Sequence, residues 1–375
     1  MERRRRPAGA DAGVTLVELD ALRQAIDALD DEVLRLLNRR AGLVEEVASF
    51  KEARQLPFYV PRRERAIIER LVSANPGPFP SSAIRAVFQE VFSACLSLEK
   101  GLRVAYLGPE ATFTHMAVTH QFGVSARAEP VGTIAGVFAE VEQGRADFGV
   151  VPVENSTEGA VLHTLDTFLD SSLNISAEII LDITQCLLVR PGLELSHVQR
   201  VYSHPQALGQ CRKWLAANLP HAALVETPST AEAARVARED ANGAAIASEL
   251  AGRLHDLLVV AEAIQDLADN ATRFLVIGRE QARPTGKDRT SVLVLVKDGP
   301  GALLRLLQPF SDEGVNLTKI ESRPSRRRPW ESAFFVDMEG HTEDPAVARA
   351  LATLVQRAET CKVLGSYPRA ERARP

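Results

Sequence analysis

Three clusters in this chain bring together residue types suited to binding and turning over a small acid. They are Tyr106-Leu107-Gly108-Pro109-Glu110-Ala111-Thr112-Phe113-Thr114-His115, Val151-Pro152-Val153-Glu154-Asn155-Ser156-Thr157-Glu158-Gly159 and Asp269-Asn270-Ala271-Thr272-Arg273-Phe274. The first two read as a strand end followed by hydroxyls or amides, and the third as a segment just before a strand. Backbone N–H groups and Ser, Thr and Asn side chains converge where strands end and helices begin, which suits a carboxylate ligand. Residues 102–280 have a net charge of −10, so anion binding there must rest on such local donors together with Arg273. Each cluster taken alone also reads as helix caps and turns.

A different chemistry is written into the N-terminal region. Arg40 stands four residues after Leu36 and four before Val44, and Lys51 stands four after Val47. At helical pitch the step from Arg40 to Lys51 leaves the two only about 20° apart, on the apolar stripe itself. Glu99 shares a face with Phe88 and Phe92, and Glu64 precedes Ile68 by one turn. Buried charges are costly unless paired. The set therefore implies an enclosed polar site for an anion or a buried salt-bridge network at a dimer seam.

The elements that must position these residues fall into three segments. Apolar spacing from Val17 to about Arg54 predicts one helix of about 55 Å. A second helix follows from Arg62 to about Ser73, and a third is capped by Ser81 or Ser82. Three helices so unequal in length leave part of the long stripe uncovered, which predicts a homodimer or higher oligomer. From Leu102 to about Arg279 strands alternate with helices, an α/β pattern with mainly parallel sheets. Expected strands are Arg103–Leu107, Ala146–Val153, Arg200–Ser203, Ala222–Thr227, Ala244–Ala247 and Phe274–Ile277, with helices such as Thr133–Gln143 and Thr230–Glu239. Ser176–Val189 and Val259–Phe274 are placed to carry the chain between two lobes and back. After a linker at Gln281–Lys287 the order from Ser291 is strand, helix, strand, strand, helix, strand, a βαββαβ ferredoxin-like unit. The domains expected are thus 15–101, 102–280 and 288–370.

Composition excludes several classes. With 45% apolar and 25% charged residues the chain is an ordinary soluble globular protein, and it has no apolar run long enough for a membrane span. Arg3–Arg6 and Arg326–Arg328 are the only basic runs and lack interleaved aromatics, so no nucleic-acid partner is expected. The four cysteines lack metal-site spacing and a disulfide pattern. A cytoplasmic enzyme without metal or cofactor is the expectation.

Leu22-Arg23-Gln24-Ala25-Ile26-Asp27-Ala28-Leu29-Asp30, Arg39-Arg40, Lys51 and Arg63-Glu64-Arg65 resemble the all-helical chorismate mutase family, in which a long helix is shared between two protomers. The resemblance implies that Arg40, Lys51, Arg63 and Glu64 bind chorismate and that Arg23 is lent by the other protomer. Val60 stands where some members have Asp, and Glu99 where others have Gln. Gly108-Pro109-x-x-Thr112-Phe113-x-His115, Val153-Glu154-Asn155-Ser156, Ser203-His204-Pro205-Gln206-x-x-x-Gln210-Cys211 and Asn270-x-Thr272-Arg273-Phe274 resemble prephenate dehydratase, with Ala111 in place of a common glycine. That family implies a two-lobed periplasmic-binding-protein-like domain with Thr272 as the key hydroxyl. Asn155, Ser156, Ser203, Gln210 and Arg273 would position substrate, and His115 and His204 would stabilise turns. Gly299-Pro300-Gly301-Ala302-Leu303-Leu304 and Glu321-Ser322-Arg323-Pro324 resemble the ACT domain, implying phenylalanine binding by Gly301, Ala302, Leu303, Glu321, Ser322 and Arg323.

Together the resemblances imply conversion of chorismate to prephenate and of prephenate to phenylpyruvate, with phenylalanine as inhibitor. A dehydratase preferring arogenate and a non-catalytic small-ligand sensor are the alternatives. By the same resemblance Glu99 faces the ether oxygen of chorismate, where negative charge builds as the bond breaks. A carboxylate has no proton to donate there, whereas a carboxylic acid or an amide has. Mutase activity is therefore expected to fall as pH rises through the carboxyl titration, and Glu99→Gln to flatten that profile. Rate measurements from acid to alkaline pH check this; a level native profile matching that of the Gln variant removes Glu99 from the chemistry.

Overall fold

The computed structural model describes residues 16–54, 61–99, 101–296, 299–324 and 332–370. Val60 and Arg3–Arg6 lie outside the described residues, as does the side chain of Glu99. The chain divides into two compact units, one built on the first helix and one running from the second helix onward.

Helix α1, Leu16–Ala53, has 38 residues and no Pro, so its hydrogen-bond ladder runs unbroken for about 57 Å. Its apolar stripe is open: Leu22, Ile26, Leu29 and Val33 are all more than half exposed. Helices α2 (Pro61–Ser73) and α3 (Ser81–Glu99) belong with the α/β region. Leu96 of α3 enters the core beside Phe122, and Gln89 Nε2 donates to Gln121 O at 2.6 Å.

Two sheets make the central region. In the first the order is β2 (Arg127–Val131), β1 (Arg103–Leu107), β3 (Phe148–Asn155), β11 (Ala271–Gly278), β5 (Asn174–Asp182), with the short β4 (Gly159–Ala160) on β3. In the second it is β10 (Leu258–Ala261), β6 (Cys186–Val189), β9 (Gly243–Ala247), β7 (Arg200–Ser203), β8 (Ala223–Glu226). The connections that feed parallel strands are helical, as such crossovers require. These are α4 (Phe113–Phe122), α5 (Ile134–Glu142) and α6 (Leu162–Phe168) around the first sheet. Around the second lie α7 (Pro205–Gln210), α8 (Arg212–Asn218), α9 (Thr230–Glu239) and α10 (Glu249–Leu254). The chain crosses between sheets after β5 and returns before β11, where the sequence placed the crossings. The two crossings hold each other: Ile183 N donates to Asn270 O at 2.8 Å and Ile264 N to Gln185 O at 3.0 Å.

The C-terminal sheet is antiparallel, in the order β13 (Leu317–Pro324), β14 (Ser332–Glu339), β12 (Asp288–Val296), β15 (Thr360–Pro368). Helices α11 (Ala302–Asp312) and α12 (Pro345–Arg357) cover one face with Leu306, Phe310, Val347 and Leu354. The other face packs on the first sheet. Leu293, Leu295, Phe335 and Leu364 share a core with Val151, Val153, Leu275 and Ile277. The opposite face of the first sheet, with Val104, Tyr106, Val150, Phe274 and Val276, packs on α4.

The two central sheets are mixed rather than mainly parallel, since β3–β11, β11–β5, β6–β9 and β10–β6 pair antiparallel, and of the strand ends that differ from expectation two matter. The sequence starts the last strand at Phe274 and ends the earlier one at Val153. In the structure β11 starts at Ala271 and β3 runs on to Asn155. Thr272, Arg273, Glu154 and Asn155 are therefore strand residues with alternating faces rather than loop residues free to converge.

Gly365 is a point of close approach between the C-terminal sheet and the first sheet. Its φ is +155°, and an added Cβ would overlap the carbonyl O and the N of Ile175 on β5. Backbone cannot yield as a side-chain tip can. Gly365→Ala is expected to destabilise the fold by about 1–3 kcal/mol. Gly132→Ala, where nothing lies within 4 Å, is expected to stay within about 0.5 kcal/mol of the parent. Urea unfolding of both variants checks the contrast.

Candidate active site

The best-formed polar cluster sits where the two crossings meet. It is organised by Asn155, at the end of β3 and nearly fully buried. Its Nδ2 donates to Asn270 Oδ1 at 3.0 Å, Thr272 Oγ1 at 2.9 Å and Ala271 O at 3.3 Å. Its Oδ1 accepts from Thr157 N at 3.0 Å, Thr157 Oγ1 at 2.6 Å and Glu158 N at 3.2 Å. A side-chain amide offers two N–H donors on one atom and an acceptor on the other. The second lobe joins through Gln210 at the end of α7. Gln210 Oε1 accepts from Asn270 Nδ2 at 3.0 Å, and Gln210 Nε2 donates to Thr157 Oγ1 at 3.3 Å.

A β-bulge makes this arrangement possible. Thr272 pairs with Asn155 and Arg273 with Glu154, but Phe274 pairs with Pro152, so Val153 is an extra residue on β3. Val151 and Val153 both point into the core against the C-terminal sheet. Strict alternation would send Asn155 the same way. The bulge places Glu154 on that face as well and turns Asn155 to meet Thr272.

Ser156, exposed, braces this turn: its Oγ donates to Asp269 O and accepts from Ala271 N, both at 2.9 Å. Two other residues expected to position substrate make different contacts in the structure. Ser203 is fully buried, and its Oγ donates to Ile246 O at 2.6 Å, joining β7 to β9. Arg273, one residue beyond Thr272, faces the C-terminal sheet. Its Nη1 meets Asp337 Oδ2 at 2.6 Å, its Nη2 donates to Tyr367 Oη at 2.9 Å and its Nε meets Glu178 Oε2 at 2.7 Å. Burial works against the guanidinium charge, but Tyr367, Asp337 and Glu178 outweigh it and hold the Arg273 pKa above its ordinary value. Asn270 and Thr157 are the members not singled out as site residues. Both belong to the motifs quoted, and their side-chain chemistry was the available signal.

The two histidines stabilise turns. His115 Nδ1 accepts from Ala111 N at 3.1 Å, and its ring stacks on Tyr106 at 5.0 Å. Burial, opposed by Glu110, lowers its pKa, which suits the unprotonated acceptor. Ala111 holds φ +63°, a left-handed conformation that explains why a glycine suits the position. His204 caps α7, its Nδ1 accepting from Gln206 N at 3.3 Å.

On α1, Arg23 is exposed and pairs with Asp20 at 3.3 Å, while Arg40 and Lys51 are half-buried among exposed neighbours. On α2, Arg63 is exposed and Glu64 half-buried, the latter lining a cavity of about 420 Å³ with Arg65, Arg85, His120 and Arg369. In the C-terminal domain Gly301 takes φ +74° before the first turn of α11, and Ala302 and Leu303 open the helix. On β13 the burial alternates: Lys319, Glu321 and Arg323 turn inward and Ser322 outward. Arg323 Nη2 pairs with Asp166 of α6 at 3.1 Å.

Comparison with known proteins matches three families along the chain. The chorismate mutase type II family matches residues 22–100, the prephenate dehydratase family residues 104–282 and the ACT domain residues 290–356. A bifunctional chorismate mutase/prephenate dehydratase of Aquifex aeolicus is 50% identical, over 94% of this chain and 98% of that one. One of Pseudomonas aeruginosa is 44% identical over the same shares. The crystal structure of prephenate dehydratase in complex with L-Phe from Arthrobacter aurescens has 39% identity and a TM-score of 0.68, covering 72% of this chain and 90% of that one.

The double use of Asn155 gives a stability prediction. Asn155→Asp removes the Nδ2 donor from three acceptors while changing little in shape. Urea unfolding is expected to show a loss of about 1–3 kcal/mol, the penalty for unsatisfied buried polar groups. A loss below about 0.5 kcal/mol would mean that the network contributes nothing to folding.

Proposed function

Because the chain belongs to the family of bifunctional chorismate mutase/prephenate dehydratases, we infer that it rearranges chorismate to prephenate on its N-terminal helices and converts prephenate to phenylpyruvate between its two α/β lobes, with feedback by phenylalanine. The observation that carries the second activity is the Asn155–Thr272–Asn270–Gln210 network, built from both lobes at their crossing.

In the dehydratase reaction the electrons of the breaking carbon–carboxylate bond enter the ring as hydroxide leaves, so aromatisation supplies the driving force and no electron sink is needed. The protein must bind a dianion and hydrogen-bond the departing hydroxyl. Asn155 Nδ2 donates to Thr272 Oγ1, which occupies a lone pair and leaves the Thr272 proton to point elsewhere. Thr272 is thus set to donate to the leaving group. Asn155 holds it, and Asn270 with Gln210 aligns the second lobe. The lobes form a periplasmic-binding-protein-like cleft that closes on prephenate.

For the mutase, α1 pairs with its counterpart in a homodimer, and α1 to α3 form an intertwined helical fold. The support is the exposed stripe of Leu22, Ile26, Leu29 and Val33, an apolar face too long to be left in water. Arg40, Lys51, Arg63 and Glu64 bind chorismate, Arg23 serves the partner's site and Glu99 acts at the ether oxygen. In the ferredoxin-like ACT domain Gly301, Ala302, Leu303, Glu321, Ser322 and Arg323 receive phenylalanine. The left-handed Gly301 supports this, since it opens a helix N-terminus to close approach. The enzyme works in the cytoplasm.

The two reactions are separable. Thr272→Ala is expected to lower dehydratase kcat by about 100-fold or more and leave mutase turnover intact. Lys51→Ala is expected to do the reverse. Assays of both reactions on each folded variant decide it: loss of both activities from either change refutes two independent sites.

A further inference from the structure

The two strands that carry the catalytic cluster each present a charged neighbour to the ACT domain. On β11, Thr272 faces the cluster and Arg273 faces away; on β3, Asn155 faces the cluster and Glu154 faces away. The charged neighbours close a ring. Arg273 Nη1 meets Asp337 Oδ2 at 2.6 Å, and the backbone of Asp337 on β14 lies opposite that of Lys319 on β13, which closes the ring through the sheet. Lys319 Nζ meets Glu154 Oε1 at 2.9 Å, and Glu154 Oε2 lies 3.7 Å from Arg273 Nη1. Glu178 on β5, fully buried, braces the ring by accepting from both Arg273 and Arg289. Ser291 and Tyr367 complete the shell, the hydroxyl of Ser291 donating to Asp337 Oδ1.

The ring is an economical solution electrically. Arg273, Arg289 and Lys319 face Glu154, Glu178 and Asp337, three cations against three anions, with Glu154 partly open to solvent and the others largely buried. Removing one partner from such a set leaves a buried charge uncompensated, so the ring resists piecemeal loosening. It also joins the right parts. Lys319 is two residues before Glu321 on β13, the strand assigned to the effector, and Asp337 is its partner on β14. At the other end of the ring, Arg273 and Glu154 are covalent neighbours of Thr272 and Asn155. A strand is stiff along its length, so a shift of one residue moves the next.

We propose that Arg273 and Glu154 are positioning residues for the dehydratase reaction, held by Asp337 and Lys319 of the ACT domain, and that this ring transmits the effector's influence to Thr272 and Asn155. The proposal rests on the reading of Thr272 as the dehydratase hydroxyl. It makes the ACT domain part of the catalytic scaffold even without effector. An effector that favours another arrangement of β13 and β14 then acts by differential stabilisation of the ring.

The test uses the full-length enzyme with Lys319→Met, Glu154→Gln, their double variant and Asp337→Asn. Dehydratase kcat and the KM for prephenate, the phenylalanine concentration giving half inhibition, and mutase turnover are measured for each. Lys319→Met and Glu154→Gln are expected to lower dehydratase kcat about tenfold with KM within about twofold, since misplacement by a fraction of an ångström is costly in rate. Half inhibition is expected to shift at least about fivefold, and the double variant to be no worse than either single one. Mutase turnover stays at the parent value and reports folding, so a variant of Asp337 that fails to fold is recognised and the other three still decide. Unchanged dehydratase kcat and unchanged inhibition in the folded variants overturn the proposal, as does a double variant whose losses simply add. Failure of the underlying reading looks different: Thr272→Ala would then keep dehydratase turnover whatever the ring variants do.

Discussion

A single buried guanidinium governs the construction of this protein. Arg273 lies on β11, the strand between β3 and β5, nearly dry, with Asp337, Glu178 and Tyr367 around it. An unpaired cation there would cost several kcal/mol. The C-terminal sheet must therefore dock with Asp337 and Tyr367 in register, and β5 must offer Glu178 at the same point. Apolar packing of Leu293, Phe335 and Leu364 on Val151, Leu275 and Ile277 supplies area to the interface, but area is tolerant of sliding. The ion cluster is not. It fixes which residues of one sheet oppose which residues of the other.

That constraint explains both what could be read from the sequence and what escaped it. Helix α1 was legible because its spacing of apolar residues is uninterrupted. The order of strands and helices in the last domain was legible because each element carries its own periodicity. The polar cluster was legible as a set of residue types, Asn155, Thr272 and Gln210 among them, since few other roles demand that combination of amides and a hydroxyl. The contact of Ser203 with the Ile246 carbonyl was not legible, because a hydroxyl at a strand end looks alike whether it faces a cleft or a neighbouring carbonyl. The facing of Arg273 was not legible because the strand was started too late. With Thr272 and Arg273 in one strand, the alternation of faces sends the two side chains to opposite sides.

The bulge at Val153 had no sequence signal of its own. It contains no glycine, and alternation counted along β3 gives the wrong face for Asn155. Only the pairing with β11, eight residues of a strand more than a hundred positions downstream, shows that one residue of β3 is surplus. Local pattern specifies elements; the side on which a functional group emerges was decided here by a non-local register shift.

The paired crossings between the lobes have a geometric consequence. Ile183, Asn270, Gln185 and Ile264 tie the two connecting segments together, so a rotation of one lobe on the other has its axis close to them. Displacement in a rotation grows with distance from the axis. Asn155 and Thr272, beside these segments, would hardly move, and the loop after β1 is itself held to the second lobe, Ala111 O accepting from Ser248 Oγ at 3.1 Å, whereas groups far from the axis would sweep furthest. Entry and exit of small molecules can then be governed by the periphery while the reacting groups stay at the pivot, like the jewel of a bearing.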